Sequence, residues 1–182
     1  MIICVTGPMA AGKNYICSQY ESNGWLSIDA DKLVHQAIKQ NENVIFAAFS
    51  DDAEKTGINL KNADGSLNRR NLGALIFNSP ELLKKQEQIV YPAVTELTKD
   101  FINKNPDRNI IINATVLYKT PELLTLCEKI VFVTAPAFVR FVRAKKRDHM
   151  KTTQILQRFK AQKKLLSEYA SSGIPLEIVR NY

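Results

Sequence analysis

Long uninterrupted apolar runs are missing from this chain, and no stretch of it reaches the length needed to span a membrane. The start reads as a short strand, not as a charged segment followed by an apolar one, so no secretory signal is expected and a cytoplasmic location is. Cysteine is scarce: Cys4, Cys17 and Cys127 are odd in number and show no ligand spacing. That argues against a metal or redox role and for reduced thiols in or near a core. No internal repeat, low-complexity tract or interdomain linker divides the sequence. At 182 residues, 45% of them apolar, it is long enough to bury one proper core, with room for a small insertion. Basic residues outnumber acidic ones 25 to 18, a net charge of +7 that suits an anionic partner, either nucleic acid or a polyphosphate ligand. No aromatic stripe accompanies that charge, which weighs against nucleic acid. Neither a nucleic-acid nor a membrane partner is expected, and no oligomeric state follows from the sequence.

What is present is concentrated at the start. Ile2 to Val5 reads as a buried strand, a glycine-bounded loop follows, and a helical segment runs from Lys13 to Tyr20. Gly7, Gly12 and Lys13 have the G-x-x-x-x-G-K spacing of a phosphate-binding loop. Glycines permit positive φ and let successive backbone N–H groups converge on phosphate oxygens, and a helix N-terminus adds positive potential. Gly7, Ala10, Ala11, Gly12, Lys13, Asn14 and Tyr15 are therefore candidate nucleotide contacts, with Lys13 supplying a point charge to the β- and γ-phosphates. The pattern normally ends in Ser or Thr, whose hydroxyl ligates Mg²⁺; here Asn14 stands in that place.

Further along, Trp25 to Ile28 forms a second strand running into Asp29-Ala30-Asp31, and a helix carries Leu33, Val34, Ala37 and Ile38. Side chains at i and i+2 of an extended strand point the same way, so Asp29 and Asp31 are expected to share the carboxyl end of the sheet. The competing reading makes Asp31 a helix cap and pairs Asp29 with a lysine. Helix is expected from Asn41 to Phe49, from Asn68 to Phe77 and, after Pro80, from Glu81 to Asn103. No strand signal appears between Ile28 and Asn109, so a helical insertion separates the second and third strands. Strands follow at Asn109–Ala114, Lys129–Thr134 and Leu176–Arg180. Helices are expected at Pro121–Leu126, from Pro136 and over Thr152–Ser167. The helix after Pro136 brings Arg140, Arg143 and Arg147 to one face.

These motifs, in this order, resemble the dephospho-CoA kinase family over nearly the whole chain. Ile28-Asp29-Ala30-Asp31 resembles the family's strand ending in Asp-Ala-Asp, and Gly65 to Phe77 its Gly-x-x-x-Arg-x-x-Leu-x-x-x-x-Phe segment. Glu87 to Pro92 is similar to Leu-Glu-x-Ile-x-His-Pro. Arg143 to Asp148 and Arg158 to Gln162 are similar to the lid's Arg-x-x-x-Arg-Asp and Arg-x-x-x-Gln, and Ile178 to Asn181 to a last strand ending in Asn near the adenine. The chain departs from the pattern at Asn14, at His35 where Arg is usual, at Tyr91 where His precedes Pro92, and at Arg140 where Gln is usual. Thr115-Val116-Leu117-Tyr118-Lys119 stands where the family has Pro-Leu-Leu-Phe-Glu, and the helix that usually follows the last strand is not seen.

The resemblance implies a three-layer α/β P-loop NTPase fold: a five-stranded parallel sheet with its first strand central, a helical substrate lobe and a basic helical lid. The core would occupy about 1–30, 104–136 and 174–182, the lobe about 31–103 and the lid about 137–168. It implies ATP and Mg²⁺ as cofactors, dephospho-CoA as the small-molecule substrate, and phosphorylation of its ribose 3′-hydroxyl, the last step of CoA biosynthesis. By the same resemblance Asp31, Lys13, Arg143 and Arg147 are catalytic and Arg143 and Asn181 contact the nucleotide. Asp29, Asp31, His35, Arg69 and Tyr91 receive the substrate, and Asn14 and Asp29 serve the metal. The departures leave two other readings open: a paralogue that binds nucleotide with little or no turnover, and a kinase of a related nucleotide substrate.

Overall fold

In the computed structural model, which describes residues 1–77, 79–148 and 151–182, five short strands form one parallel sheet. The strands are β1 (Ile2–Thr6), β2 (Leu26–Asp29), β3 (Ile110–Asn113), β4 (Lys129–Thr134) and β5 (Leu176–Arg180), in the order β2-β3-β1-β4-β5. β1 is central, with Cys4 in register with Ile112 on one side and Ile130 on the other. Its position explains its mostly apolar composition, because a strand flanked and covered on both faces takes a polar side chain only where, as at Thr6, it has a hydrogen-bond partner. Ile3, Cys4 and Val5 are buried.

Alternation along the strands sends Ile3, Val5, Ile111, Val131 and Val133 to one face, where Ile16 and Cys17 of α1 (Lys13–Glu21) pack on them. On the other face lies the fully buried Tyr169 of α9 (Leu165–Ala170), which meets Phe132 edge-on at 6.3 Å. Helices thus cover both faces of the sheet, making three layers. The remaining helices are α2 (Ala30–Gln40), α3 (Glu42–Thr56), α4 (Arg69–Ile76), α5 (Pro80–Asn103), α6 (Pro121–Leu124), α7 (Ala137–Asp148) and α8 (Thr152–Ala161). Among the described residues no helix is long and apolar enough to cross a membrane.

The chain divides into two compact units, Met1–Asp31 with Thr98–Tyr182, and Lys32–Leu97. The sheet and the phosphate loop belong to the first. The second is helical and has its own core, in which Ile45, Phe49, Leu72, Leu75, Val90 and Val94 are buried together. Residues 149 and 150 of the expected lid, and the side chain of Asp148, lie outside the described part.

Three local expectations are corrected. β2 ends at Asp29, paired with Asn113, and helical geometry begins at Ala30, so Asp31 sits in the first turn of α2 and not on an extended strand. α3 continues past Phe49 to Thr56, because Ile45, Phe49 and Ala53 keep one face buried; Gly57, at φ 67°, then ends it. The helix expected over Thr152–Ser167 is two helices. α8 stops at Gln162, whose side chain turns to the phosphate loop, and α9 restarts to bury Leu165 and Tyr169. Neither glycine nor proline marks that break.

Candidate active site

The loop between β1 and α1 has the backbone that its glycines permit. Gly7 and Gly12 have φ of 148° and 100°, and Ala10 shares the left-handed region at 61°. The Ala11 amide donates to the Pro8 carbonyl at 3.1 Å and closes the turn. Gly12 then caps α1 without a side chain, so the amides of Lys13, Asn14 and Tyr15 have no acceptor within the helix and present a partial positive charge. Such a helix end is suited to phosphate. Lys13 folds back across the loop, its Nζ donating to the Gly7 carbonyl at 3.2 Å. Burial holds its pKa below the usual lysine value, while the charges of Asp31 and Asp29 pull it the other way. The cation and both carboxylates therefore share one electrostatic neighbourhood.

They also share one cavity, of about 410 Å³, whose walls include Lys13, Asn14, Asp29, Asp31, Arg147 and Arg158. A neighbouring cavity of about 770 Å³ is lined by Tyr15, Arg143, Lys146, Arg147, Asn181 and Tyr182. Ala10, Gly12 and Arg147 border both, so the two hollows meet along the loop. The first is polar and doubly acidic at one end; the second has aromatic rings and guanidinium groups.

Asn181 lines the larger cavity and is itself bonded on three sides. Its Nδ2 donates to the Ala11 carbonyl at 2.9 Å, its backbone N–H to Thr134, and its own carbonyl accepts from Arg143 at 3.3 Å. It ties the end of β5 to the phosphate loop. Met9 is held from the other side: Gln162 Oε1 accepts from its amide at 2.8 Å, and Arg140 Nε donates to its carbonyl at 3.0 Å. The Arg140 guanidinium also lies over the Phe159 ring, 4.2 Å from its centre. Met9 and Ala10 are buried against Ala144 of α7 and Ile155 of α8. The loop is thus gripped by both basic helices.

Asn113 and Thr115 had no place in the expected site, and Arg140, Arg158 and Gln162 were expected only as parts of the lid. Asn113 carried a readable signal, as the polar end of an otherwise apolar strand. Its Nδ2 donates to Asn14 Oδ1 at 2.9 Å. Thr115 donates to Asp31 Oδ2 at 3.3 Å. Among the described residues no three of His, Cys, Asp and Glu gather as a metal-binding group. The oxygen-rich end of the cavity still fits Mg²⁺, a hard cation that is commonly held through one or two carboxylates together with substrate phosphates and waters.

The other three substrate candidates belong to the helical unit. His35 and Arg69 line a cavity of about 620 Å³ there, together with Lys39, Arg70, Glu42 and Asp64. Tyr91, on α5, donates to Glu87 Oε1 at 3.0 Å and is not among the residues lining that cavity.

Known proteins bear on this arrangement. The family model for dephospho-CoA kinase matches residues 1–174. The chain is 34% identical to the dephospho-CoA kinase of Treponema denticola over 186 aligned positions, covering all of this chain and 82% of that protein. In structure it is similar to TT1252 from Thermus thermophilus, with a TM-score of 0.82, 24% identity and coverage of 100% and 88% of the two chains. It is also similar to the dephospho-CoA kinase from Campylobacter jejuni, with a TM-score of 0.63, 22% identity and the same coverage; these two likenesses speak for the fold. The match runs through the phosphate loop, the helical unit and both basic helices, and on that extent the chain belongs to the dephospho-CoA kinase family.

Proposed function

We propose that the protein transfers the γ-phosphoryl group of ATP to the ribose 3′-hydroxyl of dephospho-CoA, giving coenzyme A, the last step of its biosynthesis. The observation that carries this reading is the convergence of Lys13, Asp29, Asp31 and the amides of a helix N-terminus on one cavity at the carboxyl end of a parallel sheet. Phosphoryl transfer asks for positioning and charge neutralisation more than for covalent chemistry. The amides of Gly12 to Tyr15 hold the β- and γ-phosphates, and Lys13 adds a point charge to them. The larger cavity receives the base and ribose between Tyr15 and Arg143, with Asn181 fixing the loop beneath. Arg147, which borders both cavities, and Arg158 neutralise charge on the transferred group.

Asp31 accepts the proton of the 3′-hydroxyl or orients that hydroxyl for attack. Mg²⁺, when bound, supplies a Lewis acid that draws charge from the β- and γ-phosphates; Asp29 would hold it, with Asn14 bonded to one of its waters. Asn14 suits that indirect role, since its amide oxygen already accepts from Asn113. His35, Arg69 and Tyr91 of the helical unit receive the CoA-like part of the acceptor.

A coupled assay of ADP release with dephospho-CoA tests the reading. Turnover should require both ATP and dephospho-CoA. Asp31→Asn should bind ATP normally while losing turnover by on the order of 10²-fold, the low end of what a positioned base contributes. Tight ATP binding without any dephospho-CoA-dependent turnover in the wild-type protein would defeat it.

A further inference from the structure

We infer that Thr115 is a positioning residue for Asp31, an inference that rests on the reading of Asp31 as the group facing the acceptor hydroxyl. Asp31 lies in the first turn of α2 with an exposed side chain, so packing does little to fix the orientation of its carboxylate. The Thr115 hydroxyl donates to its Oδ2 at 3.3 Å, which favours one orientation and leaves Oδ1 for the acceptor's proton. A hydroxyl can steer a carboxylate only if it is itself fixed, and Thr115 is fixed from behind. Its carbonyl accepts from the Tyr169 hydroxyl at 3.2 Å and from Thr6 Oγ1 at 3.3 Å. The Tyr169 oxygen in turn accepts from the Leu117 amide at 2.8 Å.

Tyr169 and Thr6 are both fully buried, and burial raises the phenol's pKa, so the ring stays neutral and its O–H remains a donor. The preceding residue is pinned as well, with the Ala114 amide donating to Val5 at 3.2 Å. Three elements far apart in sequence (β1, the turn after β3, and α9) thus converge on one peptide whose side chain reaches the carboxylate.

The experiment compares Thr115→Val, which keeps the branched shape and removes the hydroxyl, with Thr115→Ser, which keeps it. Steady-state kinetics, ATP affinity by titration and thermal melting are measured for each, alone and in the Asp31→Asn background. Thr115→Val should lower kcat by about 3- to 30-fold, more than for a neutral hydrogen bond and less than for a fully formed charged one because this bond is long and exposed, with the KM and Kd for ATP within about twofold of wild type. Thr115→Ser should recover most of kcat. In the Asp31→Asn background Thr115→Val should change kcat by less than about twofold, since the two act through one group. Wild-type kcat in Thr115→Val, with Asp31→Asn impaired, would overturn the inference. So would a full Thr115→Val loss that persists in the Asp31→Asn background, because Thr115 would then act elsewhere. If Asp31→Asn itself turns over like wild type, the assignment of Asp31 fails, and this inference with it. An unchanged ATP Kd in every variant separates these outcomes from misfolding.

Discussion

Gly12→Ala is the most sharply defined perturbation of this site. A Cβ at position 12 would lie 1.8 Å from Nδ2 of Asn181 and 3.7 Å from an Arg143 nitrogen, on a backbone held at φ 100°. Two costs follow. An L-residue in the left-handed region is disfavoured by roughly 1–2 kcal/mol whatever the space around it. The clash itself is with the end of a short side chain, so it is relieved by moving Asn181 aside. That move forfeits the 2.9 Å bond to the Ala11 carbonyl, a contribution of about 0.5–1.5 kcal/mol. The sum is about 2.5 kcal/mol, which for a protein of this size lowers Tm by roughly 5–10 °C. Removing Asn181 first should make the second cost vanish: in an Asn181→Ala background, Gly12→Ala should cost only the backbone term. Thermal melts of the four proteins give the coupling directly, and ATP titrations show whether the loop still binds. Gly7→Ala should be worse, since its Cβ would stand 2.1 Å from the Val133 carbonyl, a backbone atom of β4 that cannot rotate away. Additive melts for Gly12→Ala and Asn181→Ala would refute the reasoning, as would a Gly7→Ala milder than Gly12→Ala.

Lys13→Ala deletes the cation folded over the loop and should weaken ATP binding by about tenfold to more than a hundredfold, the effect of losing a charged hydrogen-bonding partner; an unchanged Kd by calorimetry would reduce the loop to a turn. Asn14→Ser exchanges an amide for a hydroxyl that can reach Mg²⁺ directly, and should lower the Mg²⁺ concentration giving half-maximal turnover. The same change strips Asn113 of its acceptor, at a cost of about 0.5–1.5 kcal/mol in the melt, and the argument fails if neither quantity moves. Alkaline pH should unfold the protein through its buried thiols. Burial pushes Cys17 up to about 11 and Cys127 up to about 12, against 9.0 for a free thiol. The unfolded chain ionises first, so this stability is complete below pH 9 and falls as pH rises toward 11, by about 1.4 kcal/mol per pH unit for each thiol. Denaturant titrations from pH 8 to 11 should show a shallower slope in Cys127→Ala, and an identical slope would refute the assignment.

The sheet was readable because its signal is collective. Ile2–Val5, Ile110–Ile112 and Ile130–Val133 are apolar throughout, and a strand covered on both faces explains such runs between amphipathic helices. The phosphate loop was readable because glycine spacing encodes backbone conformation directly. What escaped was decided by partners distant in sequence. Gln162 ends a helix because the Met9 amide, 153 residues earlier, takes its side chain. Thr115 reaches Asp31 from 84 residues away, across a sheet whose strand order must be known first. Asn181 lines the larger cavity, yet its side-chain amide serves the loop carbonyl, a contact that no motif contains. The periodic and the local were legible, and single polar side chains spanning the fold were not.

The double grip on Met9 has a consequence for how this loop can change over time. Its amide and its carbonyl are both claimed, by Gln162 and Arg140, and those claims are made on peptide groups that every non-proline residue possesses. Those two bonds set little constraint on the identity of residue 9, whose side chain answers instead to the space beside Ala144 and Ile155 and to Arg158, a guanidinium nitrogen of which donates to the Met9 sulfur at 3.8 Å. The constraint falls instead on positions 140 and 162, where a change of side chain removes a donor or an acceptor outright. Drift among related sequences should accordingly be tolerated inside the loop at residue 9 and resisted in the two helices, so that part of the phosphate loop's specification is written more than a hundred residues downstream of it.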